Sequence, residues 1–301
     1  MKIADFLFFP ENQRIVCIPR RKPRYWLDAA FGRVVGQDRW RLWKAHLHIF
    51  LFRNLGLGTA RSDVVFSLTS YHKRQDVLCK TVLSLCGQNI QPRMIFLTIT
   101  ESDWQFFSDK NQAFLEEKCS VNLVKPDLRS YKKLFYALTR FPEHRIVTFD
   151  DDIYYEFDLV SQLLRSEQLG DSVICKRAHV IRVESGVVLP YGEWDFEVKG
   201  DYFSELVFPT SGGGMMILPQ SLDDEVLKTE IFLEKAKSAD DMWWYFMLRR
   251  NGGKARKCGG EMRLYEWDRN DTSGLYVENL AGANDKVFKS LQEQYSLLFE
   301  S

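Results

Sequence analysis

From Asp63 onward the chain alternates short apolar runs with helical stretches, and no other feature limits the fold as much. The runs 63–68 (DVVFSL), 94–99 (MIFLTI), 121–124 (VNLV) and 145–149 (RIVTF) read as strands. Between them, 75–86, 104–118 and 131–138 carry helical spacing, with breaks at Gly87, Pro92 and Phe141-Pro142. Strands separated by helices predict a parallel, doubly wound α/β sheet, because parallel neighbours need a long crossover. Ligands of such sheets sit at the carboxyl ends of the strands. The residue types suited to chemistry fall there: Thr69 and Tyr71 after the first strand, Glu101 after the second, and Asp150, Asp151 and Asp152 after the fourth.

Three consecutive aspartates after a buried strand need a physical reason. Adjacent carboxylates repel, and each resists losing water. A divalent cation resolves both problems, because hard cations prefer carboxylate oxygens. If the strand geometry continues, Asp150 and Asp152 share a side and Asp151 points the other way. The pair can then hold Mn²⁺ or Mg²⁺ together with a diphosphate. An acidic turn or a helix N-cap is the plainer alternative.

The motif V-T-F-D-D-D-I-Y-Y resembles the metal-binding strand end of GT-A glycosyltransferases, in particular inverting enzymes of bacterial surface-polysaccharide and lipopolysaccharide synthesis. F-S-L-T-S-Y-H-K-R resembles their first strand and donor loop, and L-R-S-Y-K-K-L-F-Y-A-L the helix before the metal strand. F-P-T-S-G-G-G-M-M-I-L-P resembles the glycine loop near the acceptor, and S-A-D-D-M-W-W the motif of the catalytic base. The five occur in family order across about 63–250.

The resemblance implies a GT-A type, mostly parallel sheet and sugar transfer from a nucleoside-diphosphate donor, expected to be UDP-linked, to a glycan or glycolipid hydroxyl. It implies Asp150 and Asp152 at the metal, and Asp151 at the ribose or sugar. Arg74, Lys132 and Lys133 add charge at the diphosphate; one of the two lysines is expected to be merely solvated. Thr69, Tyr71 and, more weakly, Glu101 would contact base and ribose. Asp241 would be the base and Asp240 an organising acid, although two acids opening a helix are also explained by capping and the helix dipole. Gly212, Gly213 and Gly214 would meet the acceptor, and Trp243 and Trp244 would be acceptor-stacking, core, or one of each. A metal-binding His common near the family's C-terminus has no counterpart, since the last His is His179.

Residues 1–60 lie outside the resemblance and form a separate basic region, leaving 61–301 as the catalytic domain. They hold eleven basic and four acidic residues, a formal +7 in a chain whose total is zero. Within 38–54 (DRWRLWKAHLHIFLFRN), Trp40, Trp43, Leu47, Phe50 and Leu51 share one helical face. That stripe fits contact with an anionic membrane, or burial on the catalytic domain or in a homodimer with Trp40 and Trp43 as core. No segment reaches the ~18 apolar residues of a membrane span. With six cysteines and no C-x-x-C pair, the thiols read as reduced, in a cytoplasmic protein that meets at most the inner membrane face. No nucleic-acid partner is expected. The rival readings are a metal-dependent nucleotidyltransferase, whose glycine- and lysine-rich entry loop is missing after the first strand, and a non-catalytic nucleotide-sugar or glycan binder.

Overall fold

The structure is a computed structural model and describes residues 36–237, 239–267 and 282–299. The chain divides into two compact units, 1–40 and 41–301. The first lies almost wholly outside the described residues, and so does Cys17.

The strands are β1 Thr59–Thr69, β2 Ile90–Thr100, β3 Ser120–Val124, β4 Arg145–Phe149, β5 Val173–Cys175, β6 Ala178–Val180, β7 Val183–Glu184, β8 Val187–Val188, β9 Tyr202–Ser204, β10 Val207–Pro209, β11 Met215–Ile217 and β12 Ala255–Lys257. Eight form one sheet in the order β3-β2-β1-β4-β11-β5-β12-β9. β1, β2, β3 and β4 run parallel. β11 is antiparallel to β4 and β5, β12 follows β5, and β9 opposes β12. Six strands therefore point one way and two the other, which is the mostly parallel sheet expected.

Sequence and burial agree on why. Val64, Val65, Phe66, Ser67 and Leu68 of β1 are all fully buried, as a central strand covered on both faces must be. Alternate side chains feed two cores: Val65 enters one with Leu134 and Ala137, while Val64, Phe66 and Leu68 enter the other with Leu78, Val82 and Leu85. The helices Gln75–Cys86 and Lys132–Arg140 therefore cover opposite faces.

Two boundaries differ from the sequence reading. β2 passes through Pro92, which pairs with Arg61 where the register shifts before Val65. An irregular ladder there tolerates a residue without an N–H. The predicted helix 104–118 is split: a turn Glu101–Trp104 precedes the helix Asp109–Lys118, whose N-cap Ser108 accepts from the Asn111 amide.

The basic helix Gln37–Ile49 and the residues after it carry the expected stripe on the less covered side, with Trp40 and Leu51 half-buried. Trp43, Leu47 and Phe50 are 54%, 37% and 50% exposed, whereas Arg41, Lys44 and Ala45 are buried. Lys44 pairs with Glu156 at 3.0 Å, and Arg41 lies 4.7 Å from the Tyr265 ring centre. Among the described residues no helix is long and apolar enough to cross a membrane. The five described cysteines are free thiols, four of them buried.

Phe66 sits at the centre of the sheet with no exposed surface. Phe66→Ala should lower the unfolding free energy by about 3–5 kcal/mol in urea titration. Leu169→Ala, at a fully exposed position, should change it by less than about 0.5 kcal/mol.

Candidate active site

The chain moves outward from β1 to β2 to β3 and returns to β4 on the other side of β1. The reversal opens a crevice at the carboxyl ends of β1 and β4. β1 delivers Ser70, Tyr71 and Arg74 there, and β4 delivers the three aspartates.

The strand geometry does not continue past Phe149. Asp151 and Asp152 form a turn, so the expected same-side alternation is replaced by three separate environments. Asp150 Oδ1 accepts from Lys133 Nζ at 2.8 Å. Asp151 is buried and accepts from Ser70 Oγ, and Arg74 Nη1 donates to both Asp151 Oδ1 and Asp152 Oδ2 at 2.9 Å. The Asp150 and Asp152 carboxylates keep 33% and 30% of their surface open, against 9% for Asp151. Tyr155 Oη fixes the turn: it accepts from the Asp150 amide at 2.9 Å and donates to Gly212 O at 3.1 Å. Thr81 Oγ1 donates to Asp151 O at 2.8 Å.

Lys133 joins this turn to the glycine loop and to the helix Asp240–Arg250. Its ammonium donates to Ser211 Oγ at 2.7 Å and pairs with Asp240 Oδ2 at 3.2 Å without hydrogen-bond geometry. It lies 5.4 Å from the Trp244 ring centre. Burial opposes its charge, but Asp150, Asp240 and Asp241 outweigh burial and hold it firmly protonated. One of the two neighbouring lysines is expected from the sequence to be solvated; instead Lys132 is as buried as Lys133 and pairs with Asp127.

The helix Asp240–Arg250 has Ala239, not an aspartate, at its N-cap, and no side-chain cap. Asp241 instead accepts from the Ser211 amide, at 3.2 and 3.3 Å to its two oxygens. Burial, then the charge of Asp240, push its pKa above the usual carboxylate range, with Lys133 opposing. Burial and the charges of Asp150 and Asp151 push Asp152 up to about 7.

Other expected site residues take different places. Trp243 is fully buried, donates its indole N–H to Val226 O at 3.2 Å and belongs to the core, the alternative to stacking on an acceptor. Trp244 is buried beneath Lys133. Gly212, Gly213 and Gly214 are buried rather than open to an acceptor. A Cβ at Gly212 would sit 2.9 Å from Asp150 Oδ2, and one at Gly213 2.4 Å from Arg177 Cβ. Gly214 adopts φ +83°, the left-handed region that glycine enters without strain. These glycines close the loop on the aspartates. Thr69 Oγ1 donates to Thr98 O at 2.7 Å, tying β1 to β2. Tyr71 is 37% exposed beside Arg74. Glu101 pairs with Lys125. His179 is buried among Tyr191, Phe196 and Phe208 and accepts from the Glu197 amide. Burial, then Arg177, push its pKa down to about 3, so it is a neutral core group.

Sequence reading passed over Ser70, Thr81, Tyr155 and Ser211. Ser70, Tyr155 and Ser211 lie inside the quoted motifs, but only contacts reveal their roles.

Among the described residues no three His, Cys, Asp or Glu side chains form a metal-binding group. The charges nevertheless fit a divalent cation. Asp150, Asp151, Asp152, Asp240 and Asp241 face two cations, Arg74 and Lys133, and the two most open carboxylates flank the turn. Mg²⁺-type ions commonly take one or two carboxylates and complete their shell with substrate phosphates and water.

No protein-family model matches the sequence, and no curated protein matches it either. Solved structures similar in fold include a 4-diphosphocytidyl-2C-methyl-D-erythritol synthase from Anaerococcus prevotii (13% identity, TM-score 0.40, covering 76% of this chain and 96% of that one). An inositol-1-phosphate CTP transferase from T. maritima has 12% identity, TM-score 0.38, and coverage of 79% and 98%. An apo UDP-glucose pyrophosphorylase has 10% identity, TM-score 0.37, and coverage of 80% and 99%. None of the three is described as a glycosyltransferase. The chemistry is read from the side chains.

Lys133→Met should lower the unfolding free energy by about 3–5 kcal/mol at pH 8, because it strands buried carboxylates. The loss should shrink at pH 5, where Asp241, its pKa already raised by burial and by the charge of Asp240, takes up a proton. Chemical denaturation at both values checks this.

Proposed function

We propose that the chain is a transferase acting on nucleoside-diphosphate sugars, and that it moves the sugar to an acceptor hydroxyl with inversion. The observation that carries this is Asp241: a carboxylate of raised pKa, held by the Ser211 amide, one residue from an acid that Lys133 neutralises. A general base works best with a pKa near the working pH.

In this reading the acceptor oxygen attacks the anomeric carbon, and the bond from that carbon to the diphosphate breaks. The electron pair leaves with the nucleoside diphosphate, and the hydroxyl proton passes to Asp241. Arg74 and Lys133 orient Asp150 and Asp152 and lend positive potential to the leaving group. Bound at Asp150 and Asp152, Mn²⁺ or Mg²⁺ supplies Lewis-acid stabilisation of the departing diphosphate. In this reading Tyr71 meets the nucleotide, which its exposure just beyond β1 supports.

The second reading is nucleotidyl transfer, the kind of activity named in the similar solved structures. Arg74 and Lys133 beside a carboxylate cluster suit a triphosphate equally well. Products separate the two. Incubation with nucleotide sugars and Mn²⁺ should release nucleoside diphosphate. Pyrophosphate release from nucleoside triphosphate and sugar phosphate would establish the second reading instead.

Asp241→Asn should keep donor binding and lose about 10²–10⁴-fold in transfer rate. In the parent enzyme, kcat/KM should fall on the acid side at a pH above the ordinary carboxylate range, because the base must be deprotonated. Retained anomeric configuration, read by NMR of the product, contradicts an inverting base.

Asp152 has a folded-state pKa of about 7, above its ordinary value. Protonation therefore favours the fold, and its contribution to stability is lost as pH rises through about 7. Mn²⁺ should raise Tm more at pH 8 than at pH 5. Asp152→Asn should abolish both turnover and most of that rise.

A further inference from the structure

A second cluster of buried charge lies on the other side of β4 from the Arg74 loop. β5 and β12 run in the same direction as β1 and β4, so their carboxyl ends open on the same edge of the sheet. Lys257 ends β12 and Lys176 directly follows β5. Their residues are 1% and 8% exposed. Neither ammonium forms an ion pair with a carboxylate among the described residues, although buried charges are normally paired.

The two lysines are satisfied differently. Lys257 Nζ donates to Gly200 O, Gly259 O and Gly260 O at 3.0, 2.5 and 2.8 Å, which uses all three of its protons. Lys176 Nζ donates to Gln162 Oε1 at 2.8 Å and makes no other hydrogen bond within the described residues. Two of its donors are left over. It lies against Gly259, where a Cβ would come within 2.4 Å of the ammonium. Gly259 has φ +71°, and its amide donates to Asp201 Oδ1 at 2.6 Å. Asp201 is the nearby acid; Arg177 is already paired with Glu197 at 2.7 Å. Burial, then the charge of Lys176, lower the pKa of Lys257, so the two ammoniums feel each other.

The cluster adjoins the site. The Lys176 amide donates to Gly214 O, and Arg177 Cβ fills the space beside Gly213. The same loop gives its Ser211 amide to Asp241. The loop therefore has the base on one side and the uncompensated lysines on the other.

We propose that Lys176, backed by Lys257, is the anion-recognition point for an acceptor that carries a phosphate or carboxylate group. The inference rests on the transferase reading for the word acceptor, but the anion site itself does not. An incoming anion takes the two spare donors of Lys176 and offsets the charge of both ammoniums. Lys257 positions Lys176 and the Gly259 turn, and does not touch the ligand.

Inorganic phosphate is the probe, with sodium chloride at matched ionic strength as control and no divalent metal. At a tenfold excess over its Kd, phosphate should raise the Tm of the full chain by about 3–6 °C. Lys176→Met should lose the rise, Lys176→Arg should keep most of it, and Arg74→Gln should keep all of it. No rise in the parent chain overturns the proposal. So does the reverse pattern, a rise kept in Lys176→Met and lost in Arg74→Gln, which puts phosphate among the aspartates. If Lys176→Met does not fold, phosphate protection of Lys176 against acetic anhydride in the parent chain, read by peptide mass spectrometry, decides: protection supports the site and equal labelling overturns it. Stabilisation by UDP with Mn²⁺, measured in parallel, tests the donor site separately, so failure of one reading is not mistaken for failure of the other.

Discussion

The site depends on one buried ammonium. Lys133 reaches Asp150 across seventeen residues of sequence and Ser211 across seventy-eight, and it also pairs with Asp240. Removing an ammonium from water is costly, and three nearby carboxylates offset that cost. The same pairing neutralises two acids and leaves two others distinct. Asp152 stays partly open at the turn, and Asp241 stays basic behind the glycine loop. Division of labour among five aspartates thus follows from where two cations are spent.

The sheet makes this possible. Reversal of strand order between β1 and β4 places two loops side by side without either having to bend into the core. β1 is buried on both faces, so its carboxyl end cannot shift without breaking two cores at once. Ser70 and Arg74, which follow it, meet Asp151 and Asp152 directly. β11 enters antiparallel beside β4 and brings the loop Ser211–Gly213 to the other flank. Glycine is needed there for protein packing: the loop lies so close to Asp150 and Arg177 that no side chain fits. Beyond that loop, the paired lysines extend the polar surface towards β12.

In the helix Gln37–Ile49 periodicity marks a stripe without saying which side the domain covers. Trp43, Leu47 and Phe50 mark a bulky apolar stripe, yet the buried side is the one with Arg41, Lys44 and Ala45. Aromatic rings of Tyr154 and Tyr265 and the carboxylate of Glu156 accept the two cations. Those partners lie more than a hundred residues away, and nothing local to the helix announces them.

The sequence by itself determined the alternation of strands and helices, the parallel sense of the first four strands, and the collection of acids at the end of β4. Those are properties of local periodicity and of the chemistry of adjacent carboxylates. Tertiary structure alone decided that Asp150, Asp151 and Asp152 turn into three environments, that Lys132 and Lys133 serve different acids, and that Trp243 is core. It also decided that Gly212, Gly213 and Gly214 serve packing rather than an open surface. Each of these outcomes depends on a partner far away in sequence, and burial, charge balance and close approach are fixed only when the sheet brings those partners together.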